Sequence, residues 1–277
     1  MAVNPPCKPP GIRLSSIVMT RNHPWVAAGW WWLALAAFCP CLSAATVTLA
    51  AVADTALFET NPDSDLGGTS LVSGTNQQYS RSRALFRFDL GTLPTGAVIT
   101  DAQVSLYVTR TPDPDQHSGP VDSDFSLFRL FVSWGEGSGS NATGSVAMAG
   151  NATWNQRHFG ATSWANPGGL IGTDYAETAS ATTAIGGVGG YVWGSSAGLV
   201  DDVRAWQANP ATNFGFILIS ASEASLGSGR RFGSKEQPGG ATAPAQLTVT
   251  YTIVPEPAVT GLCWMGLAAL LLTRRRG

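Results

Sequence analysis

Two stretches of strict alternation constrain this chain more than any other feature. In Ala102-Gln-Val-Ser-Leu-Tyr-Val108, the residues Ala102, Val104, Leu106 and Val108 share one face, and Gln103, Ser105 and Tyr107 take the other. Near the end, Leu247, Val249, Tyr251 and Ile253 alternate with Thr248, Thr250 and Thr252. A period of two in strong β formers is the pattern of half-buried strands. Further strands are expected at 47–52, 84–89, 125–133, 190–193 and 214–220. Turn residues separate them: Gly67-Gly68, Pro94-Thr-Gly96, Pro112 to Pro114, Pro167-Gly-Gly169 and Gly239-Gly240. Many short strands with such turns predict an all-β antiparallel sandwich, jelly-roll-like in its connections. One helix is expected, because Leu199, Val200, Val203 and Trp206 fall at helical spacing and Pro210 ends the run. It should cap one end of the sandwich.

The two ends of the chain read differently. Trp25 to Phe38 is apolar, follows Arg13 and Arg21, and precedes Ser43-Ala44-Ala45. That order is a secretory signal peptide over residues 1–45, with cleavage after Ala44 or Ala45. Four prolines before Met19 are foreign to a leader, which points to Met19 as the true start. At the other end, Val254-Pro255-Glu256-Pro257 precedes an apolar block, 258–273, and then Arg274-Arg275-Arg276. As a helix this block is about 24 Å long, slightly under the ~30 Å hydrocarbon core. The arginines should remain cytoplasmic. Residues 46–253 are then one β domain lying outside the membrane.

This tail resembles the PEP-CTERM sorting signal. The resemblance rests on the Pro-Glu-Pro of Val254–Pro257, the short apolar helix and the arginine cluster Arg274, Arg275 and Arg276. It implies recognition and removal of the tail by an exosortase, a membrane-embedded cysteine peptidase of Gram-negative bacteria that make exopolysaccharide. It also implies transient anchoring in the inner membrane, and delivery to the envelope or extracellular matrix.

Residues 46–253 resemble a DNRLRE-type domain, a β-sandwich module related to disaggregatase-type and carbohydrate-binding modules. The spaced series runs from Asp54-Thr-Ala-Leu-Phe58 and Asn61-Pro-Asp-Ser-Asp-Leu-Gly67 to Arg83-Ala-Leu-Phe-Arg-Phe-Asp-Leu90. It continues through Ala152-Thr-Trp-Asn155, Trp164, Trp206, Asn213-Phe-Gly215 and Phe232-Gly-Ser-Lys-Glu236. The hexapeptide that names the family is absent. Asp63 and Asp65 stand where the family commonly has asparagine.

Charge and cysteine usage narrow the function. Six of the 16 basic residues lie in the removable ends, whereas all 18 acids lie between Asp54 and Glu256. Residues 46–253 keep ten basic residues against seventeen acids, a net charge of −7, the wrong sign for a nucleic-acid binder. All four cysteines (Cys7, Cys39, Cys41 and Cys263) are in the ends. The domain therefore has no disulfide and no thiol nucleophile, although export would permit disulfides.

Asp54 opens the first expected strand and Glu236 lies just before the last, and such strands are often neighbours. One reading is that the two carboxylates, with carbonyls of the Asn61–Gly67 loop, could share a structural Ca²⁺. The competing reading has Asp54 capping a turn and Glu236 paired with Arg81 or Arg83. A second acidic stretch, Asp113 to Asp124, lacks EF-hand spacing and reads as a solvated loop. Of the five tryptophans at 134, 154, 164, 193 and 206, Trp154 and Trp164 match family positions and read as structural. Trp134, beside Gly135-Glu136-Gly137, is the candidate for stacking on a sugar ring. Only His117 and His158 lie in this domain, and no nucleophile elbow or phosphate loop is present. No cofactor is required by these residues.

The expectation is a non-catalytic surface or matrix protein that binds or organises exopolysaccharide. Two other classes remain open: a secreted polysaccharide-degrading enzyme with an unrecognised carboxylate pair, and a purely structural matrix protein.

Overall fold

Alternation of the kind seen at 102–108 needs a second layer to cover its apolar face, and a computed structural model of the chain supplies it. The structure describes residues 44–115, 119–236 and 244–253. In chain order the strands are β1 (Ala44–Phe58), β2 (Ser64–Asp65), β3 (Leu71–Thr75), β4 (Arg81–Phe88), β5 (Ala97–Arg110), β6 (Ser123–Arg129) and β7 (Ser145–Val146). They continue as β8 (Gln156–His158), β9 (Thr162–Ser163), β10 (Ala181–Ile185), β11 (Gly189–Trp193), β12 (Phe216–Ser220), β13 (Arg230–Phe232) and β14 (Gln246–Ile253). One α-helix, α1 (Ala197–Ala208), precedes β12.

All pairings between these strands are antiparallel. On one side of the sandwich, β5 pairs with β14, β11 and β13, and β14 pairs with the first half of β1. On the other, the second half of β1 pairs with β4, followed by β12, β6 and β10. Strand β1 therefore belongs to both sides. It changes partner at a register irregularity between Ala51 and Ala53, the usual device by which a strand turns a sandwich corner. Strand β3 crosses in the same way, from β13 to β4.

The main core lies between the two sides. Ala102, Val104, Leu106 and Val108 are buried in it, as their alternation requires. Leu247 and Val249 join them, whereas Ile253 runs past the end of the core and is 45 % exposed. Phe86, Phe125 and Phe216 fill the space from the opposite side. Trp193 is fully buried and donates its indole N–H to the carbonyl of Phe125 at 2.7 Å. Helix α1 starts at Ser196, whose hydroxyl accepts from Leu199 N. It buries the four expected residues Leu199, Val200, Val203 and Trp206, and it stops before Pro210.

A second core covers the outer face of β4 and β12. Leu57, Leu85 and Ile217 pack there beneath Trp134, Trp154, Trp164 and Tyr175 of the long 130–175 connection. Burial on both faces explains why β4 reads as a continuous apolar run in Ala84-Leu-Phe86. Arg83 crosses this layer. It forms an ion pair with Glu223 at 2.8 Å, donates to the carbonyls of Gly168 and Gly169, and lies over the rings of Trp154 and Tyr175. Breaking a buried pair on one side leaves the other charge stranded. Replacing Arg83 with alanine should therefore cost roughly 3 kcal/mol of stability, measured by chemical denaturation. A loss below about 1 kcal/mol would show that this pair is solvated in practice.

Several sequence expectations need correction. The strand expected at 125–133 ends at Arg129, where Leu130 N turns to the carbonyl of Gly215. Asp54 is not at the start of the first strand but deep inside β1. Strands β3, β10 and β13 were not expected at all. They are short, and β13 is two arginines and a phenylalanine, with no alternation to detect. Ala44 and Ala45, the expected cleavage positions, are the first residues of β1 and pair with Thr252 and Tyr251. Among the described residues no helix is long and apolar enough to cross a membrane. The leader before Ala44, the expected helix at 258–273 and the motif residues Val254, Pro255, Glu256, Pro257, Arg274, Arg275 and Arg276 lie outside the described residues.

Candidate metal centre

The corner in β1 creates a polar position inside an apolar sandwich. Asp54 follows the irregularity, faces inward and is fully buried. Its own N–H is free of the strand ladder and donates to Glu136 Oε1 at 2.7 Å. Its Oδ2 accepts from Lys235 N at 2.8 Å, just after β13. No N–H or O–H donor reaches its Oδ1, and the Asp54 and Glu236 carboxyl groups lie within hydrogen-bonding range of each other. One carboxylate oxygen from each of Asp54, Glu136 and Glu236 lies within 4.8 Å of the other two.

Sequence reasoning paired Asp54 with Glu236, and the structure brings these two together. The strands responsible are not the first and last: Asp54 lies beyond the part of β1 that pairs with β14 and stands opposite Phe86 of β4, and Glu236 follows the end of β13. The third carboxylate, Glu136, was missed as a ligand. It lies 82 residues from Asp54 in sequence, and its only local mark is a flanking glycine on each side. Arg81 and Arg83, the alternative partners of Glu236, are taken by Glu59 and Glu223. Glu236 instead meets the neighbouring Lys235, whose ammonium is 2.7 Å from Glu236 Oε1 and 3.2 Å from Glu136 Oε1.

The Asn61–Gly67 loop contributes differently from expectation. It holds Glu136 from behind through Asp65, a buried carboxylate. Asp65 accepts from Gly67 N, Ser138 N, Gly139 N and Asn151 Nδ2, all between 2.7 and 2.9 Å. These bonds fix the backbone on the C-terminal side of Glu136. Gly67 is packed so closely on this segment that a Cβ there would sit 2.2 Å from the Glu136 carbonyl oxygen. Asp63 accepts from Asn155 Nδ2 at 2.9 Å.

Electrostatics at the corner follow from burial. Desolvation pushes the Asp54 carboxyl up to about 8, with the charges of Glu236 and Glu136 adding to the rise and the Lys235 N–H opposing it. Lys235 is held above its usual value, chiefly by its bond to Glu236. Three carboxylates thus face one ammonium. An open, buried oxygen among converging carboxylates is suited to a hard cation, which takes oxygen ligands and completes its shell with water.

Other residues singled out in the sequence fall elsewhere. Trp134 is not an exposed platform. It is 9 % exposed, packs in the second core and donates its N–H to the carbonyl of Phe214 at 2.8 Å. Its glycine-rich flanks are half-buried against the surrounding connection. Trp154 and Trp164 are buried in the same layer. In the second acidic stretch, Asp113 Oδ1 accepts from Asp115 N, and Asp122 lies 3.6 Å from the Arg230 guanidinium. His158 shares a 3.1 Å hydrogen bond with Ser133 Oγ, and His117 is outside the described residues. No family model matches the chain, and no curated protein matches it.

Proposed function

We propose that this chain is an exported, non-catalytic surface or matrix module whose jelly-roll-like sandwich is stabilised by a bound cation and binds or organises exopolysaccharide. The observation that carries the cation is the open Oδ1 of buried Asp54, converging with Glu136 and Glu236 at the sandwich corner. Calcium is the fitting ion, because the donors are all hard oxygens. Asp54, Glu136 and Glu236 would hold it, and Lys235 would release their carboxylates as it binds. Its role is to pin β1 to the segment after β13 and to the 134–139 connection. Residues 46–253 contain no cysteine, so a cation takes the place that disulfides hold in many exported domains.

The leader over 1–45 and the tail over 254–277 support export, followed by handling of the tail by an exosortase-type peptidase. The net charge of −7 over residues 46–253 favours a cation and a solvated matrix over nucleic acid. A buried carboxyl with a raised pKa beside two further carboxylates is also the signature of an acid–base pair. Here, however, Asp54 itself is fully buried, and none of the three carboxylates lines either of two grooves at the surface.

The test is retention of the purified full chain on exopolysaccharide from the producing organism, in calcium and in chelator. Calcium-dependent retention is the expected outcome. Release of reducing ends would replace this reading with the hydrolase. Self-assembly without any glycan retention would replace it with a structural matrix role.

A further inference from the structure

At the opposite end of β1 from the corner, a groove of about 470 Å³ opens between the β3–β4 turn and the end of β5. Phe58 and Val72 form part of its floor, and Gln78, Arg110 and Arg231 are among its polar walls. Arg231 of β13 stands directly opposite Arg110 of β5 in the antiparallel register. Like charges in that position repel, and folded proteins ordinarily offset them with a carboxylate. Neither guanidinium forms an ion pair or a side-chain hydrogen bond among the described residues. The undescribed internal segments, 116–118 and 237–243, contain no acidic residue. Asp113 is on the lip, but its carboxylate is engaged in its own turn with Asp115 N. Burial and the nearby Arg110 both press the Arg231 guanidinium below its usual value.

The turn on the other wall lines the groove with Asn76, Gln77 and Gln78, and Tyr79 follows them outside the lining. Asn76 Oδ1 accepts from Gln78 N and Ser80 N, which ties the turn down. Gln77 Nε2 donates to the Asp113 carbonyl and joins the turn to the lip. At the tip, Tyr79 has φ +61 and is 72 % exposed. It is the only non-glycine residue with positive φ among those described. A bulky side chain is disfavoured in that region. A chain with 32 glycines nonetheless places a tyrosine there, with its ring in solvent. Strain of this kind clusters at functional sites.

We propose that this groove binds an anionic saccharide, with a uronate carboxylate seated between Arg110 and Arg231 and a sugar ring face laid on Tyr79. Guanidinium forks match a carboxylate in a bidentate way. The amide of Gln78 is placed for ring hydroxyls, and an aromatic face suits the C–H face of a sugar. Inorganic phosphate would use the arginines alone and gain nothing from the amide or the ring. The inference rests on the exopolysaccharide reading above and adds to it the chemical class of the glycan and the place where it binds.

Calorimetric titration of the full chain in chelator, with oligogalacturonate, a neutral galactan oligomer of equal length and inorganic phosphate, tests it. Oligogalacturonate should bind at least tenfold more tightly than either control. Arg110→Ser and Arg231→Ser should each weaken it about tenfold without lowering the unfolding midpoint, since each relieves a repulsion. Tyr79→Gly should weaken binding while raising the midpoint, a combination that a purely structural tyrosine would not produce. Unchanged affinity in the double arginine variant, or equal affinity for phosphate, overturns the proposal. So does absence of oligogalacturonate binding, and if the native exopolysaccharide is still retained, only the groove assignment falls. Failure to retain native exopolysaccharide while oligogalacturonate still binds removes the broader reading and leaves the groove.

Discussion

Millimolar calcium should raise the unfolding midpoint of the chain, and Asp54→Asn should abolish the rise. A site of extracellular affinity has a Kd of about 10⁻⁴ to 10⁻³ M. At ten to a hundred times that concentration, mass action contributes roughly 1.4–2.7 kcal/mol. For a domain of this size that is about 3–10 °C. The pH dependence gives a second readout with a definite sign. Asp54 has a folded-state value near 8, against 3.8 for the ordinary carboxyl, so the folded chain holds this proton more tightly than the unfolded chain. Its contribution to stability is complete below about pH 4 and is lost as pH rises through 8. In chelator, stability attributable to this residue should therefore decline across that window by an amount on the order of a few kcal/mol. Calcium should flatten the decline by stabilising the ionised carboxylate, and asparagine should remove it without calcium. An identical calcium response in Asp54→Asn and the parent would show that the ion binds elsewhere. No response in either would leave Lys235 as the resident counter-ion of Glu136 and Glu236.

Replacing Asp65 with alanine should be among the most damaging single changes in the domain, although the residue touches no ligand position. Its carboxylate satisfies three backbone N–H groups and the Asn151 amide in a buried setting. Removing it strands four donors, and each unsatisfied buried donor costs about 1–3 kcal/mol before relaxation or water entry. A net loss of about 3–5 kcal/mol is expected by denaturant titration. The calcium response should shrink as well, because Glu136 would lose the anchor on its C-terminal side. Asp65→Asn preserves the volume but turns an N–H₂ group toward donors. It should fold, lose about half as much stability and bind calcium more weakly. Full calcium response in that variant would show that Glu136 is positioned by other contacts.

The contrast between Asp65 and Asp54 shows where sequence reading stops. Asp65 sits in a turn-rich stretch and Asp54 within the unbroken strand β1, yet neither local sequence tells what its carboxylate will meet. Asp65 is surrounded by N–H groups directed at it from a segment more than seventy residues away. Asp54 is faced mostly by other carboxylates. Which environment each receives depends on how the 134–151 connection lies over β1 and β2, and no short-range pattern encodes that path. Glu136 escaped notice as a ligand for the same reason. Trp134 illustrates the error in reverse: flanking glycines imply an exposed turn, but here they permit close packing, since a Cβ on Gly135 would lie 1.8 Å from the carbonyl oxygen of Gly150.

What the sequence determined by itself is the local geometry. Alternation fixed which faces of β5 and β14 are buried, because a one-residue slip would put every apolar side chain in solvent. Helical spacing and Pro210 fixed α1 and its buried stripe. The absence of cysteine from 46–253 fixed that the domain is held by noncovalent packing. Tertiary structure alone decided that β1 would turn a corner and leave a buried carboxylate there, that Glu136 would join Asp54 and Glu236, and that Arg110 would face Arg231. Each of these is a meeting of segments far apart in the chain. Their separation in space is set by the packing of two cores, and packing is a property of the whole sequence rather than of any stretch of it.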